Sequence, residues 1–481
     1  MQLGLIGLGT MGANLARNAA RNGATVAVYN RTKEKLDAFI EEHGKEGVFV
    51  ACKTYAELAK ALKPPRPILL MVKAGEAVDQ VLKELLPHLQ KGDIVIDAGN
   101  SHYRDTEKRE AQLLEKGIHL IGLGVSGGEE GALKGPSMMP GGSKEAYAVL
   151  EPLLKKMAAD DGSTLLPSRL GRAETGTTGG AKGKCVTYLG KGGVGHFVKM
   201  VHNGIEYGIM QLLAEAYHLL KVEGNMTNAD IAQAFETWNG GYLHSFLVEI
   251  AAKVMREKDP DTKKDLIDVI KDAAGQKGTG KWTTDAAMHY GVAVPTITAA
   301  VDARIVSGGR DFRMQMSKHA NLTKDTSVSY DKKVLIEMVR AALELSVLNT
   351  YAQGFQLLFV PSAEEKWSLN VSEVARIWRG GCIIRSDVLS IFQESFKGDE
   401  KASKEIRDRF SDERQLQWRR VVALGALHAI PLPALAASLT YFDAYRTAWL
   451  PQNLTQAQRD YFGAHTYERL DKPGSFHTKW Q

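Results

Sequence analysis

Four polar side chains crowd one short stretch in the middle of the chain: Lys199, His202, Asn203 and Glu206. At ~100° per residue, a helix would place Lys199 and Glu206 almost in line and roughly 10 Å apart along its axis. His202 and Asn203 would fall between them, within about 60° of that line. One helix face would then offer an amine, an imidazole, an amide and a carboxylate, groups suited to proton transfer. On periodicity alone a solvated polar face is the commoner cause of such a pattern, so the flanking sequence must decide.

A second chemical feature lies near the N-terminus. Gly7-Leu8-Gly9-Thr10-Met11-Gly12 follows a strand pattern and opens a helical one. In such a turn the first glycine permits the tight bend, the second lets a pyrophosphate approach the backbone, and the third lets helix and strand pack closely. The helix N-terminus offers unpaired N–H groups to the phosphates. A second strand ends near residue 29, where an enzyme using NAD would carry Asp or Glu for the ribose 2′-hydroxyl. The chain has Asn30-Arg31-Thr32 instead. A carboxylate would repel a 2′-phosphate, whereas the Arg31 guanidinium can bind it through paired, charge-assisted hydrogen bonds. NADP is therefore the expected cofactor.

Both features need a scaffold, and 481 residues are too many for one core. From residue 1 to about 157, strand patterns at 2–6, 25–29, 67–71, 94–97 and 119–122 alternate with helical ones at 14–22, 32–42 and 77–89. That alternation predicts a parallel, doubly wound sheet. Residues 158–195 are rich in Gly, Thr and Ser with one β-like run at 185–189, and read as a long connection or surface insertion. From His196 onward the apolar period is helical, at 198–221, 228–235, 243–254, 265–273, 334–358, 371–378, 414–428 and 434–450. Residues 451–481, aromatic, polar and interrupted by Pro473 and Gly474, cannot build a core alone and are expected to dock on something larger. The predicted architecture is an α/β Rossmann-like dinucleotide-binding domain at 1–192, a large all-α substrate and dimerisation domain at 193–450, and a C-terminal tail at 451–481.

Composition narrows the function further. The chain is 44% hydrophobic and 24% charged, ordinary for a folded soluble protein. A net charge of +5 is small over this length and does not indicate a nucleic-acid binder. No apolar run approaches the ~18–20 residues that span a bilayer. The three cysteines, Cys52, Cys185 and Cys382, are odd in number and far apart, which argues against a disulfide framework. No C-x-x-C or H-E-x-x-H spacing offers a metal site. A reducing cytoplasmic setting is expected, or an organelle reached through a targeting segment since removed.

With these motifs in view, the chain closely resembles the decarboxylating 6-phosphogluconate dehydrogenases. The matching stretches are the glycine turn at 7–12, Asn30-Arg31-Thr32, Val72-Lys73-Ala74-Gly75, Asp97-Ala98-Gly99-Asn100-Ser101, Gly124-Val125-Ser126-Gly127-Gly128-Glu129 and residues 199–207. Further along come Gly275-Gln276-Lys277-Gly278-Thr279-Gly280 and Gln458-Arg459-Asp460-Tyr461-Phe462-Gly463-Ala464-His465. They occur in the family's order across nearly the whole chain.

The resemblance implies NADP-dependent oxidation of 6-phosphogluconate at C3, followed by loss of carbon dioxide to give ribulose 5-phosphate in the pentose phosphate pathway. It implies that Lys199 is the general base and Glu206 the general acid that protonates the enediol. Such a base must be neutral when it acts, so its pKa should be lowered by burial or by a neighbouring cation. Asn100, Ser126, Gly127, Gly128, His202 and Asn203 are implied to contact the substrate's carboxylate and hydroxyls. Tyr207, Lys277, Arg304 and Arg459 are implied to hold its phosphate, with His465 nearby. Gly7, Leu8, Gly9, Thr10, Met11, Gly12, Asn30, Arg31, Thr32, Val72, Lys73, Ala74 and Asn100 are implied to bind the cofactor. The tail is implied to reach the neighbouring subunit's active site, making a homodimer with shared sites. The segment 158–195 departs from the family by its length, and His102 stands where members often differ. Two other readings fit less of the chain. A β-hydroxyacid dehydrogenase, such as one acting on 3-hydroxyisobutyrate, would be much shorter, and a nonenzymatic NADP-binding paralogue should lack Lys199 or Glu206.

Overall fold

The computed structural model describes residues 1–162, 183–319 and 322–480. Apolar runs such as β1 (Gln2–Ile6) and β2 (Thr25–Tyr29) are buried on both faces, as strands are when helices cover both sides of a sheet. α1 (Thr10–Arg21) and α2 (Lys33–His43) begin the helical cover. The alternation continues through β3 (Val48–Cys52), α3 (Tyr55–Lys60), β4 (Pro67–Leu70), α4 (Glu76–Leu85), β5 (Ile94–Asp97) and α5 (Tyr103–Leu114). It ends with β6 (His119–Ser126), α6 (Gly128–Lys134), β7 (Ser137–Gly142) and α7 (Lys144–Met157). The strand order is β3-β2-β1-β4-β5-β6-β7, with β7 antiparallel to β6 at the edge. This is the Rossmann arrangement, and its order reverses between β1 and β4, where such sheets bind ligands at their carboxyl ends.

Two strands of this sheet were absent from the sequence reading. β3 is an edge strand with Val48 and Val50 exposed, so it shows no buried-strand pattern. β7 contains Pro140 and two glycines, poor strand formers, yet all six of its residues are buried. β6 also runs four residues beyond the predicted 119–122, because β7 pairs with the extension as far as Ser126↔Ser137. Most of the predicted insertion at 158–195 lies outside the described residues, but its two ends meet. The Asp161 N–H donates to Gly183 O at 2.8 Å and the Cys185 N–H donates to Ala159 O at 2.8 Å. The β-like run at 185–189 then lies along β7, with the Met138 N–H donating to Cys185 O at 2.8 Å.

The helical half is built on α8 (Val194–Val222), which begins directly against the sheet. Gly195 makes that approach possible: a Cβ there would stand 2.2 Å from Gly122 O and 2.4 Å from Met139 O. Around α8 follow α9 (Asn228–Asn239), α10 (Phe246–Arg256), α11 (Leu266–Val269), α12 (Thr279–His289), α13 (Pro295–Gly308) and α14 (Arg310–His319). The 33-residue α15 (Lys332–Glu364) crosses α8 closely, since a Cβ on Gly354 would meet the Ile205 side chain at 2.4 Å. α16 (Val371–Ile377), α17 (Val388–Phe396), α18 (Glu400–Arg409), α19 (Asp412–Leu427) and α20 (Pro433–Ala444) complete the domain. The predicted helix at 265–273 shrinks to the four residues of α11, whereas α12, α14, α17 and α18 form where no period was read.

The tail folds into α21 (Gln452–Gly463) and a short hairpin of β8 (Tyr467–Glu468) and β9 (Ser475–Phe476). Its centre is the buried Asp460, whose carboxylate accepts from the Thr466 N–H (2.9 Å), His477 Nδ1 (2.9 Å), the Thr478 N–H (3.0 Å) and Trp480 Nε1 (2.8 Å). Burial works to raise its pKa, but these donors outweigh it and hold the carboxyl far below its usual range.

Candidate active site

α8 carries the polar face read from the sequence, and the face is buried. Lys199 is only 6% exposed and His202 0%. Strand β6 closes over them at Gly124, while β7 and α12 flank the same part of the helix. Lys199 Nζ donates to Asn203 Oδ1, which also lies 3.1 Å from His202 Nδ1. His202 Nε2 stands 3.0 Å from Ser126 Oγ, at the end of β6. The network is satisfied when neutral His202 carries its proton on Nδ1, donates to Asn203 and accepts from the Ser126 hydroxyl. Burial, helped by the charge of Lys199, pushes the His202 pKa well below its usual value and keeps the ring neutral.

Glu206 follows one turn later, with Oε2 3.9 Å from His202 Nδ1. Burial raises its pKa, against the opposing pull of Lys199 and Arg304. Burial also lowers the Lys199 pKa, against the attraction of Glu206. The amine is thus biased toward its neutral form and the carboxyl toward its protonated form. Both pKa values are thus shifted toward neutrality, which suits base and acid roles near neutral pH.

Around this core the structure places the other expected residues in two groups. Ser126-Gly127-Gly128 forms a turn with φ values of 117° and 63° at the two glycines. It rests on the loop after α16, since a Cβ on Gly127 would stand 2.6 Å from Gly381 O. Asn100 is exposed at the end of β5, in a loop organised by buried Asp97, which accepts from the Gly99 N–H at 3.1 Å and Ser101 Oγ at 2.6 Å. At the next residue after Glu206, the Tyr207 ring is covered by the Arg304 guanidinium, Cζ to centroid 3.4 Å. Arg304 also donates to Gly275 O at 3.3 Å, bringing the 275–278 loop and exposed Lys277 to the same place. Gly280 lets the first turn of α12 sit on Tyr207, because a Cβ there would meet the ring at 2.5 Å. Arg459 and His465 lie exposed on the tail, and no hydrogen bond, ion pair or ring contact joins them to α8 among the described residues.

The glycine turn at the switch point is shaped for a dinucleotide. Gly7 has φ 100°, and a Cβ on Gly12 would stand 1.9 Å from Gly7 O. A Cβ on Gly9 would meet nothing within 4 Å, so the backbone is open just where α1 begins without a side-chain cap. The first-turn N–H groups of Thr10, Met11 and Gly12 are thereby available to phosphate oxygens. Asn30 Oδ1 accepts from the Leu8 N–H at 2.9 Å and its amide donates to Thr32 O at 2.9 Å, so Asn30 locks the turn to the ribose loop. Arg31 and Thr32 are exposed, and Arg31 makes no hydrogen bond or ion pair among the described residues. Val72, Lys73 and Ala74 follow β4 beside the turn, with Val72 Cγ1 3.2 Å from where a Gly7 Cβ would stand. These residues fit a dinucleotide carrying a 2′-phosphate.

Sequence reasoning missed several supports of the site. His196, one turn before Lys199, pins α8 to the sheet through Thr106 Oγ1 (2.6 Å) and Asp97 O (3.0 Å). The 380–383 loop beneath Gly127 and the first turn of α5 are others. A lone histidine and a pair of distant glycines carry no local signal, which is why pattern reading passed them by.

Such a site, a dinucleotide-shaped Rossmann turn on the same sheet against which a buried Lys–Glu helix packs, defines a nicotinamide-dependent dehydrogenase. Comparison with known proteins specifies which one. The model of the NAD binding domain of 6-phosphogluconate dehydrogenase matches residues 2–190, and that of the 6-phosphogluconate dehydrogenase C-terminal domain matches residues 195–480. The Bacillus subtilis (strain 168) 6-phosphogluconate dehydrogenase, NADP(+)-dependent, decarboxylating, is 46% identical over 484 residues, spanning 100% of this chain and 99% of the relative. The decarboxylating 6-phosphogluconate dehydrogenase 1 of Oryza sativa subsp. japonica is 46% identical over 485 residues, spanning 100% and 97%. The Plasmodium falciparum 6-phosphogluconate dehydrogenase, solved in its apo form and in complex with NADP+ and with 6-phosphogluconate, superposes with a TM-score of 0.91 at 40% identity over 100% of both chains. The chain belongs to the 6-phosphogluconate dehydrogenase family.

Proposed function

We propose that Lys199 and Glu206 carry the oxidative decarboxylation of 6-phosphogluconate to ribulose 5-phosphate, with NADP as oxidant. The observation that carries this assignment is the buried chain Lys199–Asn203–His202–Ser126 with Glu206 one turn further on. NADP, when bound, supplies the acceptor for the hydride leaving C3. Neutral Lys199 takes the proton of the C3 hydroxyl as that hydride departs. The product is a β-keto acid: its C1–C2 bond breaks, carbon dioxide leaves, and the bonding pair moves onto the C3 oxygen. Lysinium 199 stabilises that oxygen and returns the proton to it, giving an enediol. Glu206 then protonates the former C2, while Lys199 removes the enediol proton and leaves the ketone. One proton has passed from Glu206 to Lys199, and exchange with solvent resets the pair. The neutral His202 and Asn203 hold hydroxyls and take no proton, and Ser126, Gly127, Gly128 and Asn100 orient the carboxylate end.

The phosphate is assigned to Tyr207, Arg304 and Lys277, completed by Arg459 and His465 from the tail of a second copy. The exposure of that tail, organised around Asp460 yet unattached to its own site, supports a homodimer with shared sites. We take 1–192, 193–450 and 451–481 as the cofactor, substrate and exchange units. No described helix is long and apolar enough to cross a membrane. The buried, unpaired cysteines suit the cytoplasm. The test follows reduced cofactor and carbon dioxide together with 6-phosphogluconate. Lys199→Met should abolish both signals, and full activity in that variant would refute the assignment.

A further inference from the structure

The first turn of α5 follows Asn100 and Ser101 immediately, and it is fastened to both ends of α12. At the start of α12, the His102 ring stands edge-on to Trp282, centroids 5.2 Å apart at 87°. At the far end, Tyr290 OH lies 2.9 Å from Arg104 Nη2 and 3.5 Å from Tyr103 OH. Tyr290 also donates to Glu365 Oε1 at 2.7 Å, which fixes it to the end of α15. α12 in turn follows the 275–278 loop that carries Lys277. It also touches α8 within the turn that bears Lys199 and Asn203, through Thr283 Oγ1 to Met200 O at 2.9 Å and the close approach at Gly204. Asn100 is thus joined through the first turn of α5 to α12, and through α12 to α8 and the loop that carries Lys277.

We propose that the His102–Trp282 contact is the joint that couples the cofactor side of the site to its phosphate side, so that each ligand tightens the binding of the other. His102 is a positioning residue that touches neither ligand. This rests on the site reading above, in which Asn100 faces the cofactor and substrate and Lys277 the phosphate. The ring does a second job, because His102 Nδ1 accepts from the Arg104 N–H at 3.3 Å and caps α5. The two jobs separate by substitution. Asparagine keeps an N-cap acceptor and loses the ring contact, whereas phenylalanine keeps an aromatic ring and loses the cap.

The experiment measures 6-phosphogluconate affinity by calorimetry on the full-length protein, with and without NADPH, which cannot accept hydride and so forms no reactive complex. Coupled sites typically change each other's affinity by ~5–150-fold. The parent should show an enhancement in that range. His102→Asn should keep both single-ligand affinities within about twofold while its enhancement falls toward one, as should Trp282→Leu. His102→Phe should retain it, and adding Trp282→Leu to His102→Asn should cost nothing more. No enhancement in the parent, retention in His102→Asn, or loss in His102→Phe would each overturn the joint. The site reading is tested separately: Lys277→Ala and Asn100→Ala should weaken single-ligand binding, and unchanged affinities there would refute that reading rather than the joint.

Discussion

Gly124 and Lys199 face each other so closely that a Cβ on Gly124 would stand 2.5 Å from the Cβ of Lys199. The same atom would lie 3.0 Å from Gly195 O, so no rotamer change of Lys199 alone could relieve it. The last parallel strand and α8 thus approach each other with no room for a side chain at the point where Lys199, the proposed base, is mounted. Gly124→Ala should push α8 away from β6. Overpacking of this kind costs about 1–3 kcal/mol. Misplacing a reacting group by ~1 Å can cost about 10²-fold in rate. The expected variant melts modestly lower, as seen by calorimetry, and loses most of its kcat. A folded variant with parental kcat would show that the approach is not required.

Burial gives Lys199 opposite effects on stability and on rate. Its folded pKa lies below its unfolded value, so between the two the unfolded state holds the extra proton and stability rises with pH. The burden is complete below the folded pKa and gone above the unfolded one, near ~10.4. Lys199→Met should therefore melt higher than the parent at pH 7, with the gain shrinking as pH approaches 10, while activity is abolished. Melting curves across that range decide it; a gain that grew with pH would contradict the burial of an amine.

The rate should also carry both groups. Activity rises with pH as Lys199 loses its proton, at a pH below the ordinary lysine range. It falls as Glu206 ionises, at a pH above the ordinary carboxylate range. Glu206→Gln should bind 6-phosphogluconate normally, lose most of the overall rate and lose the alkaline fall. A pH–kcat/KM profile that keeps its alkaline limb in Glu206→Gln would assign that limb to another group.

Arg31 is the exposed cation after β2 and has no competing ion pair among the described residues. A hydrogen bond to a charged group contributes about 1.5–3 kcal/mol. Arg31→Asp, which also adds repulsion, should raise the KM for NADP by about 10²-fold and change that for NAD far less. Equal effects on the two cofactors would remove Arg31 from 2′-phosphate recognition.

How much of this could be read beforehand depended on whether the determining contacts were local. The turn from Gly7 to Gly12 was legible because strand, bend and helix lie within a dozen residues. The Lys199–Glu206 face was legible as a period, but its burial was not: Gly124 and Thr283 pack against that stretch of α8 from other parts of the chain. The place of Arg304 over Tyr207 is set by the packing of α13 on α8, which leaves no local sign in the sequence. β7 was hidden by its own Pro140 and glycines, since backbone pairing with β6, rather than side-chain preference, makes it a strand.

The tail stands on one side chain. Asp460→Ala would leave the N–H groups of Thr466 and Thr478 and the ring donors of His477 and Trp480 without their acceptor. The expected variant is cleaved readily by protease after residue 450 and has a raised KM for 6-phosphogluconate, while its cofactor domain still binds NADP. Parental KM with a protease-sensitive tail would detach the tail from the site.

Sharing of sites between copies can be tested by mixing two inactive proteins. Arg459→Ala removes the proposed phosphate ligand of the tail, and Lys199→Met removes the proposed base, yet each leaves the other element intact. If the tail serves its own chain, every site in a mixed dimer lacks one group and the mixture stays inactive. If it serves the partner, the Lys199→Met chain lends an intact tail to the site of the Arg459→Ala chain. Half of freely exchanged dimers are then mixed and each holds one complete site, so activity should return to roughly a quarter of the parent's. The recovery should appear only after subunit exchange, for example on dilution or mild denaturant treatment and return. A mixture that stays inactive after demonstrated exchange would place Arg459 in the site of its own chain.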